Sequence, residues 1–168
     1  MTSGSLDYVA FCGGVVGEID VLPDSERVGA SEFVTTTRLG QDLAIVSSGQ
    51  QQQNGHADKH STTNQPIIVD VREKPAFDIF HIENSINVPY SQLTSIREVS
   101  ELPTSLSSQQ GQDHSMLVLC QRGNDSQYSV LKLRELLAAK QSEIKDVSGG
   151  WIALRKEVES SAEDWPEF

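Results

Sequence analysis

Basic residues are scarce in this 168-residue chain: 13 Lys and Arg stand against 24 Asp and Glu, a formal net charge of −11 at pH 7. Non-specific nucleic-acid binding runs on clustered cations, so this composition argues against a direct nucleic-acid partner. Cysteine is scarcer still, with only Cys12 and Cys120. Two cysteines exclude a disulfide-stapled scaffold, and without a nearby histidine pair they make no zinc site. Apolar residues reach only 37%, so part of the chain is expected to stay outside any core. No run of about 20 apolar residues exists, which excludes a membrane-spanning helix. The opening stretch, residues 1–11, lacks a basic region followed by an apolar run and does not read as a secretory signal. Both thiols are therefore read as reduced, and the expected compartment is the cytosol.

What remains suits one domain with length to spare. Residues 1–27 read as a tail: Gly13, Gly14 and Gly17 break any period, and residues 22–26 read as a turn around Pro23. Organised structure is expected from Arg27 and Val28, with Ser31 as N-cap of a short helix from Glu32 to about Arg38. Residues 47–65 are polar and low in complexity, with four consecutive glutamines, and are expected to be a disordered surface insertion. Then the character changes. Residues 66–72 hold a β-branched run that reads as a buried parallel strand, and residues 85–89 read as a second strand. A helical turn is expected between Ala76 and His81, and a helix from Gln92 to Leu102. Residues 107–115 read as another polar loop. Met116–Leu119 is a third buried strand, followed by a helix over 126–140 with Val130, Leu133, Leu136 and Leu137 on one face. A strand at 144–147, a turn at Gly149–Gly150 and a last helix from Trp151 to Val158 complete the pattern. Strands alternating with helices imply an α/β fold: a mostly parallel central sheet with helices on both faces and ligands at the strand C-termini.

Chemistry concentrates in one segment. Cys120 follows the apolar strand, and Gln121, Arg122, Gly123, Asn124, Asp125 and Ser126 lead into the helix. A loop between a strand end and a helix N-terminus turns several backbone N–H groups inward, and the helix dipole adds positive charge there. Such a place would stabilise a thiolate, a better nucleophile than a thiol, and equally a persulfide anion. Gly123 permits the backbone curl that a side chain would obstruct. The bland reading, a buried structural cysteine at a strand end, is the commoner fate of a lone cysteine; the strand–loop–helix setting outweighs it.

These residues, taken in order, resemble the rhodanese family. Ile68-Val69-Asp70-Val71-Arg72 looks like its first strand motif, and His81-Ile82-Glu83-Asn84-Ser85-Ile86-Asn87-Val88-Pro89 is similar to its next segment. Cys120 to Ser126 matches its active loop, and Asp146-Val147-Ser148-Gly149-Gly150-Trp151 its Gly-Gly-Trp turn. Within the family, Gly123-Asn124-Asp125-Ser126-Gln127 resembles the loop of the C-terminal domain in adenylyltransferase-and-sulfurtransferase enzymes, which activate ubiquitin-like sulfur carriers. Leu6 to Gly13, and Asp164-Trp165-Pro166-Glu167-Phe168, are similar to the segments that bound that domain.

The resemblance implies a single rhodanese-like domain over 28–168, behind a linker tail that follows an absent adenylating domain. It implies a sulfurtransferase with a persulfide on Cys120, loaded by a cysteine desulfurase or another persulfide donor. The acceptor would be the C-terminal glycine of a ubiquitin-like sulfur-carrier protein, feeding tRNA wobble-uridine 2-thiolation and molybdopterin synthesis. No cofactor or metal is expected in this chain, since zinc and ATP belong to the adenylating domain. Asp70 and Arg72 read best as structural support, a charged pair fixing loops at a strand end. Cys12 is either a resolving thiol or, more simply, a bystander. His56, His60 and His114 lie in polar loops and read as solvated, whereas His81 reads as structural. Two rival functions remain: a non-catalytic rhodanese-like binding module, and a cysteine phosphatase. The phosphatase needs an Arg six positions after its cysteine, and Ser126 stands there.

Overall fold

Short runs of aliphatic residues can be buried on both faces of a sheet only if helices cover both faces. The computed structural model describes residues 20–39, 43–48, 65–108, 115–138 and 144–160, and it builds such a sheet. Its strands are β1 (Arg27–Val28), β3 (Ile67–Asp70), β5 (Ile86–Asn87), β6 (Met116–Leu119) and β7 (Ile144–Val147). They lie in the order β1-β7-β6-β3-β5, and every neighbouring pair is parallel. A separate antiparallel ribbon joins β2 (Ile45–Ser47) to β4 (Phe80–Ile82).

Alternation along the central strand sorts the core into two layers. Met116 and Val118 of β6 enter one layer, with Leu93 of α3 (Tyr90–Leu93), Leu106 of α4 (Thr104–Ser107), and Val130, Leu133 and Leu137 of α5 (Asp125–Leu137). Leu117 and Leu119 enter the other, with Phe33 of α1 (Ala30–Thr37) and Trp151, Leu154 and Val158 of α6 (Gly150–Glu159). All four residues of β6 are buried, as a central strand of a doubly covered sheet requires. The expected α/β architecture, with helices on both faces, is therefore the one found. Among the described residues no helix is long and apolar enough to cross a membrane.

Several local expectations are corrected. The helix starts at Ala30 rather than Glu32: Gly29 is its cap, and Ser31 sits in the first turn, accepting a 2.9 Å bond from Thr35 Oγ1. Residues 92–102 do not form one helix. Pro89 begins α3, which ends at Leu93, and a 3-10 turn at Val99–Glu101 precedes α4, itself begun by Pro103. The fixed φ of proline opens helices here more than it closes them. The helical turn expected between Ala76 and His81 is α2 (Lys74–Ile79), and Phe80 and His81 belong to β4 instead. The tail reading up to residue 27 also yields: Leu22 is buried, and the backbone N–H groups of Val21 and Leu22 donate to Gln127 Oε1 at 2.8 and 2.9 Å. Glu26 is paired with Arg134.

The insertion expected at 47–65 begins too early, because Ser47 pairs with Phe80 in the ribbon and Ser48 N–H donates to Ile79 O. Residues 49–64 lie outside the described ones, as does the expected tail of 1–19 with Cys12. Replacing 49–64 by a short Gly/Ser linker should change the stability by no more than about 1 kcal/mol, since closure entropy grows only slowly with length. Extending the replacement back through Ile45 removes the ribbon and should lower the urea midpoint clearly further. A large loss from the shorter replacement would show that those residues pack.

Candidate active site

β6 ends at Leu119 and α5 begins at Asp125, so Cys120–Asn124 must turn the chain from strand into helix. Cys120 is 2% exposed and its sulfur faces inward. Gly123 N–H donates to Sγ at 3.0 Å, from a left-handed backbone with φ 85° that disfavours any side chain. Ser126 Oγ lies 3.3 Å from Sγ and donates to Asp146 Oδ2 at 3.4 Å. Several inward N–H groups were expected at the sulfur; among the described residues one amide and one hydroxyl reach it.

The loop is held from three sides. Trp151 N–H and Ile152 N–H, at the start of α6, donate to the carbonyls of Cys120 and Gln121 at 2.9 and 3.2 Å. This contact explains the Gly-Gly turn. Gly149 and Gly150 have φ of 72° and 55°, and a Cβ on Gly150 would run into the Cys120 carbonyl oxygen and lie 2.9 Å from Arg122 N. From α5, Gln127 Nε2 donates to Gly123 O at 2.7 Å. From β1, Arg27 Nη2 reaches the same carbonyl at 3.5 Å, while its Nε and Nη2 donate to Asp146 at 3.0 and 3.2 Å.

The expected loop residues thus divide. Cys120, Gly123 and Ser126 come together at the sulfur. Gln121, Arg122 and Asp125 are exposed at its rim, and Asn124 is the half-buried cap of α5 with no side-chain cap bond. Gln121 also borders a groove of about 440 Å³, walled by Phe80, Trp151 and Ile152 with Arg155 and Lys156. Although Asp125 lies exposed at the rim, partial desolvation of its carboxyl, and then the charge of Glu73, raises it above the ordinary aspartate value. Burial, followed by the charges of Asp125 and Tyr128, raises the Tyr90 hydroxyl.

Asp70 and Arg72 do not touch the sulfur; they form a buried pair at 2.7 Å. Trp151 Nε1 donates to Asp70 Oδ2 at 3.1 Å, and the guanidinium stacks 4.4 Å from the Phe80 ring centroid and 4.6 Å from that of Trp151. Asn87 Nδ2 donates to the carbonyls of Asp70 and Arg72 at 2.9 Å each, tying β5 to the same corner. His81 bonds the Phe77 carbonyl at 3.0 Å and stacks on that ring. His56, His60 and His114 lie outside the described residues. Among the described residues no group of three His, Cys, Asp or Glu could hold a metal.

Arg27, Gln127 and Asp146 are the residues that sequence reasoning missed. Asp146 stands next to Lys145 in the strand Ile144–Val147, a charged pair that gave no sign of burial. Its partner Arg27 stands 119 positions away in the chain and gave none.

A family model, the rhodanese-like domain, matches residues 53–157. The adenylyltransferase and sulfurtransferase uba4 of Emericella nidulans is 34% identical over 99% of this chain and 32% of its own length. That of Sclerotinia sclerotiorum is 30% identical over 100% of this chain and 31% of its own. The chain thus spans about a third of the length of the curated relatives it matches. A rhodanese-related protein from Thermoplasma volcanium aligns over 79% of this chain and 92% of its own, at 22% identity and a TM-score of 0.47.

Two outcomes follow from the geometry. Gly150→Ala should cost about 1–3 kcal/mol from its positive φ alone, with the clash adding to it, read as a fall in the urea midpoint. Because the raised Asp125 carboxyl favours the folded state only while protonated, that contribution is present below the ordinary aspartate value and lost as pH rises through the raised one. The stability of Asp125→Asn relative to the parent should therefore improve as pH rises from about 3 to 7, and a flat or falling difference contradicts it.

Proposed function

We propose that this chain, which belongs to the rhodanese-like domain family, carries sulfur as a persulfide on Cys120. The observation that supports it is a buried thiol facing one amide and one hydroxyl at the mouth of a helix. Sulfurtransferase activity agrees with the relatives' printed name; the persulfide on Cys120 is our reading.

In the loading step, Cys120 Sγ as thiolate attacks the outer sulfur of a donor persulfide. A new S–S bond forms, the donor's S–S bond breaks, and the electron pair leaves on the donor thiolate. No net oxidation occurs. Gly123 N–H holds the attacking sulfur and Ser126 meets it from the other side. Discharge takes one of two forms. An acceptor thiolate attacks the outer sulfur and Sγ leaves with the electron pair of the broken S–S bond, or the outer sulfur attacks an activated carbonyl carbon, expels its leaving group and remains disulfide-linked to Cys120 until a further thiol cleaves that bond.

The donor is a cysteine desulfurase or another protein persulfide, and the acceptor is the C-terminal glycine of a ubiquitin-like sulfur carrier, activated as an acyl-adenylate. Attack there displaces AMP and leaves an acyl disulfide. A second thiol must supply two electrons to release the thiocarboxylate. Transfer RNA wobble-uridine 2-thiolation and molybdopterin synthesis, in the cytosol, are the uses this reading implies. The support is the adenylyltransferase half of the relatives' name and the Gly123–Gln127 loop resemblance.

The phosphatase alternative finds no support. Ser126 occupies the sixth position after the cysteine, and Arg122 lies exposed at the rim. The binding-module alternative differs from ours in one measurable way. Intact mass after incubation with a persulfide donor should show a gain of one sulfur atom, removed by reductant. Cys120→Ser should abolish the gain, and Cys12→Ala should keep most of it. A Cys12→Ala protein as inactive as Cys120→Ser would bring the distant thiol into the reaction.

A further inference from the structure

The polar contacts around Cys120 form a closed circuit. Sγ meets Ser126 Oγ at 3.3 Å, and Ser126 Oγ reaches Asp146 Oδ2 at 3.4 Å. Asp146 takes Arg27 Nε at 3.0 Å and Nη2 at 3.2 Å. Arg27 Nη2 reaches Gly123 O at 3.5 Å, and Gly123 N–H returns to Sγ at 3.0 Å. Ser126 and Asp146 have no solvent exposure, so the bond between them and the contact with the sulfur are shielded from bulk water.

A hydroxyl has one proton and here stands between two acceptors, a carboxylate and a sulfur. While the sulfur is a thiol, S–H donates to Oγ, and the Ser126 proton goes to Asp146. Once the thiol proton has left to solvent, the sulfur becomes an acceptor. Rotation about Cβ–Oγ then turns the same hydroxyl onto it. Asp146 loses one hydrogen bond and keeps two from Arg27, so no buried charge is orphaned.

We propose that Ser126 is a two-position donor that stabilises negative charge on the Cys120 sulfur, and that Asp146, neutralised by Arg27, is the positioning residue that holds it. The proposal rests on Cys120 being the reacting atom. The only bond broken in the switch is S–H, and no electrons are exchanged. Among the described residues, the charged groups on the elements packed around the loop are few. β7 brings Asp146, β1 brings Arg27, the loop brings Arg122, and α5 brings Asp125 with its N-terminus. β3 contributes Asp70, already matched by Arg72, while α6 turns backbone N–H groups to the loop carbonyls. Asp146 and Arg27 cancel, which leaves the hydroxyl as the adjustable donor.

The test is the pH profile of Cys120 alkylation by iodoacetamide in the full chain, with Cys12→Ala as background so that one thiol reacts. Ser126→Ala should move the midpoint up by about one pH unit, the equivalent of one lost hydrogen bond, a roughly tenfold slower reaction below the midpoint. Ser126→Thr keeps the hydroxyl and should stay close to the parent. In an Asp146→Asn background, the Ser126→Ala effect should shrink to about threefold or less, because coupled residues are not additive. A folded Ser126→Ala protein with an unmoved midpoint overturns the proposal. So does a folded Ser126→Thr protein that matches Ser126→Ala, since shape alone would then account for the change. Alkylation reads the thiol without any sulfur donor, so this result stands apart from whether a persulfide forms.

Discussion

A carboxylate with no solvent exposure has to be paired, and the pairing of Asp146 organises much of this molecule. Its partner, Arg27, comes from the first strand, which lies against β7 in parallel register, Arg27 opposite Asp146. That strand is two residues long, too short to hold its place by ladder bonds alone. The ion pair and the Gln127 bonds to Val21 and Leu22 fix it instead. A buried pair of this kind adds little net stability, because desolvation offsets the attraction; losing one partner is another matter, costing about 3–5 kcal/mol. Its value here lies in specificity of position. Arg27 also reaches the Gly123 carbonyl, so β1 and the reactive loop are set by one guanidinium.

A second buried pair stands on the other side of the same strand. β6 lies between β3 and β7, with Asp70 beside Leu119 and Asp146 beside Val118. Both carboxylates therefore flank the end of the strand that delivers Cys120. Their duties differ. Asp70 is consumed by Arg72 and the Trp151 indole, and this knot joins β3 to α6 under the Phe80 ring. α6 in turn presents its first N–H groups to the loop carbonyls. One pair thus fixes the helix that grips the loop from outside, and the other meets the sulfur through Ser126. Parallel strands end their polar groups on one side of the sheet, which is why both pairs and the cysteine share it.

What could be read from the sequence follows from this layering. Met116–Leu119 is the strand as expected, because continuous burial on two faces leaves a continuous apolar run; Ile144–Val147 is also the strand expected, although Lys145 and the buried Asp146 interrupt its apolar character. The helix carrying Val130, Leu133 and Leu137 was equally plain, since a one-sided core demands a 3.6-residue period. The ribbon of Ile45–Ser47 with Phe80–Ile82 was not legible. Its strands are three residues each, too short to show a period, and they meet only through the tertiary fold. The run from Gln92 to Leu102 failed for a related reason: Leu93, Ile96 and Leu102 are buried, which mimics a helical stripe, but the chain reaches the core through separate turns. At the site, Cys120, Gly123 and Ser126 were found because they are neighbours in sequence. Arg27 and Asp146 were not, because a charge pair across the sheet leaves no local pattern.

The burial of Cys120 sets a condition on any chemistry proposed for it. At 2% exposure the thiol is shielded from water, which protects a reactive sulfur but also limits what can approach. A bulky electrophile would have to enter the loop; the outer atom of a persulfide has to be brought to the sulfur by only one bond. Once loaded, the reactive atom sits an S–S bond, about 2 Å, farther along than Sγ. Loading thus extends the nucleophile away from the anchored sulfur without any movement of the loop, which Gly150 and the start of α6 hold in place. A fixed loop with an extensible nucleophile suits a relay in which donor and acceptor are both large and approach in turn. A catalyst that had to enclose a small substrate would need a closing element. The resting loop already has the carbonyls of Cys120, Gln121 and Gly123 and its sulfur engaged, so little of it is left to close.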